Sequence, residues 1–408
     1  MFNSSSKFQG FKGKRKGKIW QFFRAPDFVS LMYPCFSFCR ILGIFPYKIN
    51  ASTIRTCKPR HILSTIIICV YCTLEFKLLY DINISKNSAF KGIDTPRLLD
   101  RDFFHIVGGF TVVTTFIFGG PRMRFLQTLL ELSLKLPPKS YQNLSKLIHV
   151  KDIIGFLYII VEVTTYCSRL QISVLRTFLL LYIGSLVFIM DMLYMNCVCI
   201  LKACFKQIND NLANLRKLVT NGEPYCLSGT YHEQRIPFLL MDIIGLKRQH
   251  LAINNAVQTL KMVFSLHLLS TILMTFFQIT FDLYYYLMHT HGGIPMSNLQ
   301  KQRFYSACIT DLIYYSVKMV SIVWVCETGK NRAMEIRSTV HDVFNSTSNK
   351  QIKYEMRLFS LQILHCENAF SVKGLTVDST LLTAMASSIA KYLIILIQFR
   401  FMSNSCDG

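Results

Sequence analysis

Along its 408 residues this chain repeatedly runs apolar for about 20 residues, the length one helix needs to cross a bilayer. The runs fall at 62–80, 103–119, 152–168, 174–200, 262–287, 305–326 and 380–401. A soluble chain of this length divides into two or three domains with polar surfaces. Here 51% of the residues are hydrophobic and 32 are Phe, too many for that. In lipid, backbone N–H and C=O groups must pair within the segment, so runs of this length become helices. The expectation is an all-α membrane protein with seven transmembrane helices. A shorter run, 28–47, contains Pro34, Arg40 and Pro46. Broken and charged, it suits a re-entrant or interfacial helix better than an eighth span.

A net charge of +22 invites a nucleic-acid reading, but the placement of the charge excludes it. With the N-terminus in the cytosol, 33 of the 45 Lys and Arg fall in inner segments 1–61, 120–151, 201–261 and 327–378, and 8 in outer ones. Such an excess is the positive-inside signal. Seven spans then place the C-terminus outside, opposite to G-protein-coupled receptors. Residues 1–27 are polar and basic, with no cleavable signal peptide. They read as a disordered arm near anionic membrane lipid, or simply as a topogenic charge cluster. Asn83-Ile84-Ser85, in an outer loop, is a candidate glycosylation site.

The inner segments continue the helical period beyond the spans. Phe205, Ile208, Leu212 and Leu215 form one stripe; Leu246, Ile253, Val257, Leu260 and Phe264 a second; Ile352, Met356, Phe359 and Ile363 a third. Stripes on long cytosolic helix extensions imply an anchor bundle, with 327–379 a principal part of it. Residues 222–237 and 344–350 read as loops from their Gly, Pro, Ser and Asn. The 14 Cys are scattered, and Cys69–Cys72 sits mid-span, so neither a disulfide framework nor a metal site is expected. No HExxH pair, phosphate loop or nucleophile elbow occurs, which argues against an enzyme and against a cofactor.

Two groups of polar residues lie within spans. In 380–401, Ser388, Lys391 and Gln398 share one helix face. A central Lys in a bilayer costs roughly 2.5–3.5 kcal/mol on insertion scales, so such a face turns to protein or water. A pore wall and an ordinary bundle contact both satisfy that. In the outer half, Gln278, Asp282 and Tyr285 share a face of the fifth span, and Asp311, Tyr314 and Lys318 a face of the sixth. Glu162, Tyr166 and Arg176 lie at similar depth on the third and fourth spans. Together they read as an outward pocket of aromatics with polar anchors, within the six-helix unit 62–326. They also read as interhelical ion pairs such as Glu162–Arg176 or Asp311–Lys318.

The C-terminal stretch Lys391-Tyr392-Leu-Ile-Ile-Leu-Ile-Gln398-Phe399, preceded by Gly374-Leu375-Thr376-Val377-Asp378, resembles the signature of insect gustatory receptors. Residues 40–46 resemble that family's N-terminal segment. The resemblance implies a ligand-gated, non-selective cation channel in the plasma membrane of sensory neurons. It implies a small-molecule tastant, permeant cations, and a homotetramer or a heterotetramer with related receptors. It makes 380–401 the pore-lining helix, with Gln398 and Phe399 as the gate, Tyr392 packing beside the pore, and Ser388, Lys391 and Ile395 completing the pore-facing set. Lys391 departs from the pattern, which has Thr there. Four such ammonium groups facing a cation pore would repel the ion, so they are expected to reach an acidic partner or a wide vestibule. The competing reading is a seven-helix receptor or membrane scaffold that signals through its basic cytosolic bundle without conducting.

Overall fold

A computed structural model describes residues 25–49, 53–84, 95–169, 174–220, 229–291, 298–366, 370–372 and 375–406. The chain forms α1 (Phe28–Ile41), a hairpin of β1 (Tyr47–Ile49) and β2 (Ile54–Thr56), α2 (Lys58–Asn83), α3 (Thr95–Ile117), α4 (Gly119–Ser133) and α5 (Pro138–Arg169). There follow α6 (Val174–Thr220), α7 (Gly229–His291), α8 (Asn298–Asn345), α9 (Lys350–His365), the hairpin β3 (Ser371–Val372) and β4 (Leu375–Thr376), and α10 (Ser379–Cys406). Both hairpins are antiparallel, with Tyr47 opposite Thr56 and Ser371 opposite Thr376.

Among the described residues, five helices are long and apolar enough to cross a membrane: Lys58–Asp81, Val174–Thr220, Ile236–Thr290, Lys301–Asn345 and Ser379–Arg400. The pair Leu98–Ile117 and Gly119–Ser133 is apolar enough when taken together and is bent by 60° at Phe118, the geometry of a broken span or a re-entrant loop. The run 152–168 lies in α5, where Asp152 and Glu162 lower its apolarity. The 28–47 run is a 14-residue helix with Pro34 inside it, followed by Gly43 at φ 74°. Its carboxylate Asp27 caps the first turn, accepting from Ser30 N at 2.8 Å. Phe28, Leu31, Met32, Cys35, Phe36 and Cys39 point into the protein against α5 and α6.

The centre of the molecule is the packing of α6, α7 and α8 on one another. Two glycines let neighbouring helices close on α6. A Cβ at Gly108 would meet Ile183 at 2.6 Å, and one at Gly155 would meet Met192 and Phe188 at 2.7 and 2.8 Å. Small residues at helix crossings serve this purpose in membranes, where dispersion contact replaces the hydrophobic drive.

Helices α6, α7 and α8 have 47, 63 and 48 residues. At 1.5 Å per residue they reach about 70–95 Å, far beyond a bilayer core of about 30 Å. Their extensions join α9 in a second bundle. All thirteen residues of the three stripes are buried there and at the start of the spans. Polar ties surround this core. Arg216 pairs with Asp342 at 3.1 Å, Lys247 with Glu355 at 2.7 Å, and Thr339 donates to Asn209 at 2.6 Å.

The loop reading of 222–237 is too long: α7 already begins at Gly229 and holds Pro237 within it. Pro removes one backbone donor but does not end a helix whose other bonds stand. The second loop shrinks to 346–349, where Asn349 caps α9 by accepting from Gln351 N and Ile352 N at 2.9 and 3.2 Å.

His250 sits inside the second bundle, fully buried, with Phe205 and Phe359 at ring-centroid distances of 6.2 and 5.5 Å. Gln362 Nε2 donates to its Nδ1 at 3.2 Å, which puts the imidazole proton on Nε2, an atom with no hydrogen-bond partner among the described residues. Burial pushes its pKa down to about 4. The folded value thus lies below the ordinary value of about 6.5, so folding favours the neutral ring. That contribution is intact above about pH 6.5 and is lost as pH falls through 6.5 toward 4. Acidification from about pH 7 to 5 is expected to cost the bundle roughly 2 kcal/mol, at 1.36 kcal/mol per pKa unit. His250→Leu should flatten the corresponding drop in melting temperature; equal acid sensitivity in both proteins would refute the assignment.

Candidate ligand pocket and pore-facing helix

At the end of the molecule opposite the second bundle, α5 and α8 are joined by aromatic contact. The Tyr158 ring stacks on Tyr314 at 5.3 Å and 10°, and Tyr158 Oη donates to the Thr310 carbonyl. Tyr314 in turn meets Tyr315 edge-on at 5.0 Å. The Lys318 ammonium lies 5.3 Å from the Tyr314 centroid and 4.9 Å from that of Tyr315, within cation–π range. On α7, Phe277, Phe281 and Tyr285 form a ladder one turn apart, stacked at 6.2 Å per step, and Phe103 of α3 closes its inner end at 3.8 Å from Phe277. Asp282 is buried beside this ladder, and Gln278 is half-buried. Asp311 is half-buried and shares one electrostatic neighbourhood with Asp100 of α3 and Arg176 of α6.

The expected residues thus divide. Tyr314 stands with Tyr158, Asp311 with Asp100 and Arg176, and Gln278, Asp282 and Tyr285 along the Phe ladder. The side chains of Glu162 and Tyr166 lie outside the described residues. The Lys318 ammonium lies 3.7 Å from Asp191 on α6. Tyr158 was not anticipated, because the apolar run around it hides a hydroxyl that bonds 152 residues away.

Two buried acid–imidazole pairs lie deeper. Asp191, wholly buried on α6, accepts from His267 Nε2 at 2.8 Å and from Thr271 Oγ1 at 2.9 Å, both on α7 and both at its Oδ1. Glu75 on α2 accepts at Oε1 from His105 Nδ1 on α3, at 2.7 Å. A single acid inside a lipid-length run was the available signal for each, as in LVFIMDMLYM and YCTLEFK.

Helix α10 turns Leu381, Met385 and Ile389 into the protein, against α7 and α8. Tyr392 meets Phe276 of α7 edge-on at 5.9 Å, while half its surface stays open. Lys391, Ile395, Gln398 and Phe399 are exposed, Phe399 at 73%, and Ser388 is half-buried. Before the helix, Asp378 accepts from the hydroxyl and N–H of Thr380 at 2.5 and 3.1 Å, and these bonds hold its carboxyl below the usual range. Asn83 is exposed at the end of α2, its Nδ2 donating to Leu79 O at 3.2 Å; Ser85 of its sequon lies outside the described residues.

The family model described as "7tm Chemosensory receptor" matches residues 32–403, nearly the whole chain. The chain belongs to the seven-transmembrane chemosensory receptor family. It is a multi-pass membrane receptor of a family that is not enzymatic. The receptor is 31% identical over 156 residues to gustatory receptor 28b of Drosophila melanogaster, covering 37% of this chain and 32% of that one. It is 30% identical over 151 residues to gustatory receptor 28a of the same fly, covering 37% and 34%. The match spans about a third of the length of these curated relatives. Its fold is similar to that of the insect olfactory receptor OR5 from Machilis hrabei, with a TM-score of 0.64 at 10% identity, over 90% of this chain and 97% of that one. The same receptor solved in complex with eugenol gives 0.58 at 12% identity, over the same shares.

Because Glu75 and His105 answer each other in a buried site, removing one leaves the other unpaired, at about 3–5 kcal/mol. Glu75→Leu and His105→Leu should each lower the melting temperature of the purified receptor, and the double replacement should lower it less than either. A double variant as unstable as the two losses added would show that the pair is not a unit.

Proposed function

We propose that this receptor is a gustatory-type, ligand-gated, non-selective cation channel of the sensory-neuron plasma membrane. The observation that carries this reading is the two-sidedness of α10. Its apolar ridge of Leu381, Met385 and Ile389 packs inward, while Lys391 and Gln398 stand on the uncovered side. Left against lipid, one Lys costs roughly 2.5–3.5 kcal/mol, so that side faces water or other subunits. Four copies around an axis supply both, as a homotetramer or with related receptors. Ser388, Lys391, Ile395, Gln398 and Phe399 then line the pore, with Gln398 and Phe399 as its gate and Tyr392 bracing it against α7.

The tastant binds among the outer aromatics, with Tyr314, Asp311, Gln278, Asp282 and Tyr285 as contacts and Glu162 and Tyr166 on the same level. That an olfactory receptor of this fold takes eugenol supports a small-molecule ligand for the aromatic-lined outer half. The N-terminus is cytosolic and the C-terminus extracellular, the second bundle being the cytosolic anchor, and Asn83 carries a glycan.

An epitope at Gly408 should stain on intact cells, and Asn83→Gln should increase gel mobility; staining only after permeabilisation overturns the topology and with it the pore. Cells expressing this chain should pass a cation current. Lys391→Thr should raise single-channel conductance or change rectification while leaving dose dependence within about twofold. An unchanged single-channel current with a shifted dose response would remove Lys391 from the conduction path.

A further inference from the structure

Among the described residues Asp191 is the most completely buried acid, and its two oxygens are treated differently. Oδ1 is saturated by His267 Nε2 and Thr271 Oγ1 from α7. Oδ2 accepts no hydrogen bond, and Lys318 Nζ of α8 stands 3.7 Å from it, about 0.8 Å beyond a charge-assisted hydrogen bond. The same ammonium is held over the rings of Tyr314 and Tyr315 at 5.3 and 4.9 Å. Lys318 is therefore shared between two competing attachments, an aromatic pair below the outer pocket and a carboxylate in the α6–α7–α8 core. An oxygen left without a donor in so dry a place is a strong reason for the ammonium to move when the rings release it.

We propose that Lys318 is the positioning residue that couples the ligand pocket to the pore, by exchanging its Tyr314–Tyr315 contact for a closed pair with Asp191. The inference rests on the channel reading above. Tyr314 is stacked on Tyr158, so a ligand entering that aromatic group disturbs the ring faces that hold the ammonium. Closure onto Oδ2 draws α8 toward α6. Through the two bonds at Oδ1 it fixes the same carboxylate to α7 at His267 and Thr271. About one turn beyond Thr271, α7 bears Thr275 and Phe276, and Phe276 lies against Tyr392 of α10. Two attachments of one side chain give the discrete pair of arrangements that coupling between sites requires. Other charged groups of the span layer among the described residues include Arg176, Asp100 and Asp311, which share one neighbourhood, buried Asp282 on α7, and the Glu75–His105 pair between α2 and α3.

The test needs no ligand. Spontaneous open probability of the full-length channel is recorded in membrane patches and normalised to surface protein, for wild type, Lys318→Met, Asp191→Asn, the double variant and Lys318→Arg. Each neutral single should lower spontaneous opening at least fivefold. The double should match the singles rather than multiply them, and Lys318→Arg, which keeps charge and ring stacking, should stay within about twofold of wild type. Should Asp191→Asn not reach the surface, Thr271→Val takes its place in the cycle with Lys318→Met, with the same non-multiplicative result expected. Multiplicative losses, or singles that change surface amount but not open probability, overturn the coupling role while leaving the channel standing. A wild type that reaches the surface and passes no current, either spontaneously or across a panel of applied small molecules, overturns the channel reading itself.

Discussion

A carboxylate held away from water must be answered by its neighbours, and Asp191 decides how the three longest helices of this receptor meet. Its side chain is wholly buried, and every group that addresses it comes from another helix: His267 and Thr271 from α7, Lys318 from α8. Apolar contact between membrane helices is nearly indifferent to rotation and sliding, because lipid tails compete for the same dispersion energy. Directional bonds to one buried group remove that freedom. With α6, α7 and α8 registered, the glycine-mediated contacts at Gly108 and Gly155 seat α3 and α5 against α6, and α10 finds its groove on α7 and α8.

From that register follows a layering along the helix axes. The end opposite the second bundle is aromatic and interrupted by a few charges. The middle layer holds the two buried acid–imidazole pairs. The extensions return to a hydrophobic stripe pattern, closed by Phe205, Phe359 and Met356 and ringed by ion pairs. Only the last of these layers resembles a soluble protein's core, and there the imidazole of His250 is kept neutral by aromatic neighbours.

What the sequence makes legible is whatever depends on local period. The stripes on α6, α7 and α9 fall on buried faces residue by residue, because three-and-four spacing on a helix is a geometric identity. Helix α10 is readable for the same reason, its ridge and its polar line being two phases of one period. Pairings across helices are not readable this way. Lys318 and Asp311 share a face of α8, but seven residues place them about 10 Å apart along the axis. The ammonium reaches instead to Asp191, 127 positions earlier in the chain. Tyr158 escaped notice because stacking on Tyr314 leaves no mark on the local pattern around either residue. The start of α7 was misplaced because Pro and Gly punctuate loops more often than they enter helices, and Pro237 does enter one.

The 63 residues of α7 make it a lever as well as a wall. Pinned about two thirds of the way along by the bonds from His267 and Thr271 to Asp191, it has two arms, the shorter among the aromatic rings and the longer in the second bundle. The longer arm, from the pin to the helix start, is about 60 Å long at 1.5 Å per residue. A tilt of about 2° at the pivot therefore displaces its far end by about 2 Å, enough to slide one side-chain ridge against another. A small displacement among the rings at one end of α7 is therefore enlarged by a helix of this length before it reaches the other end.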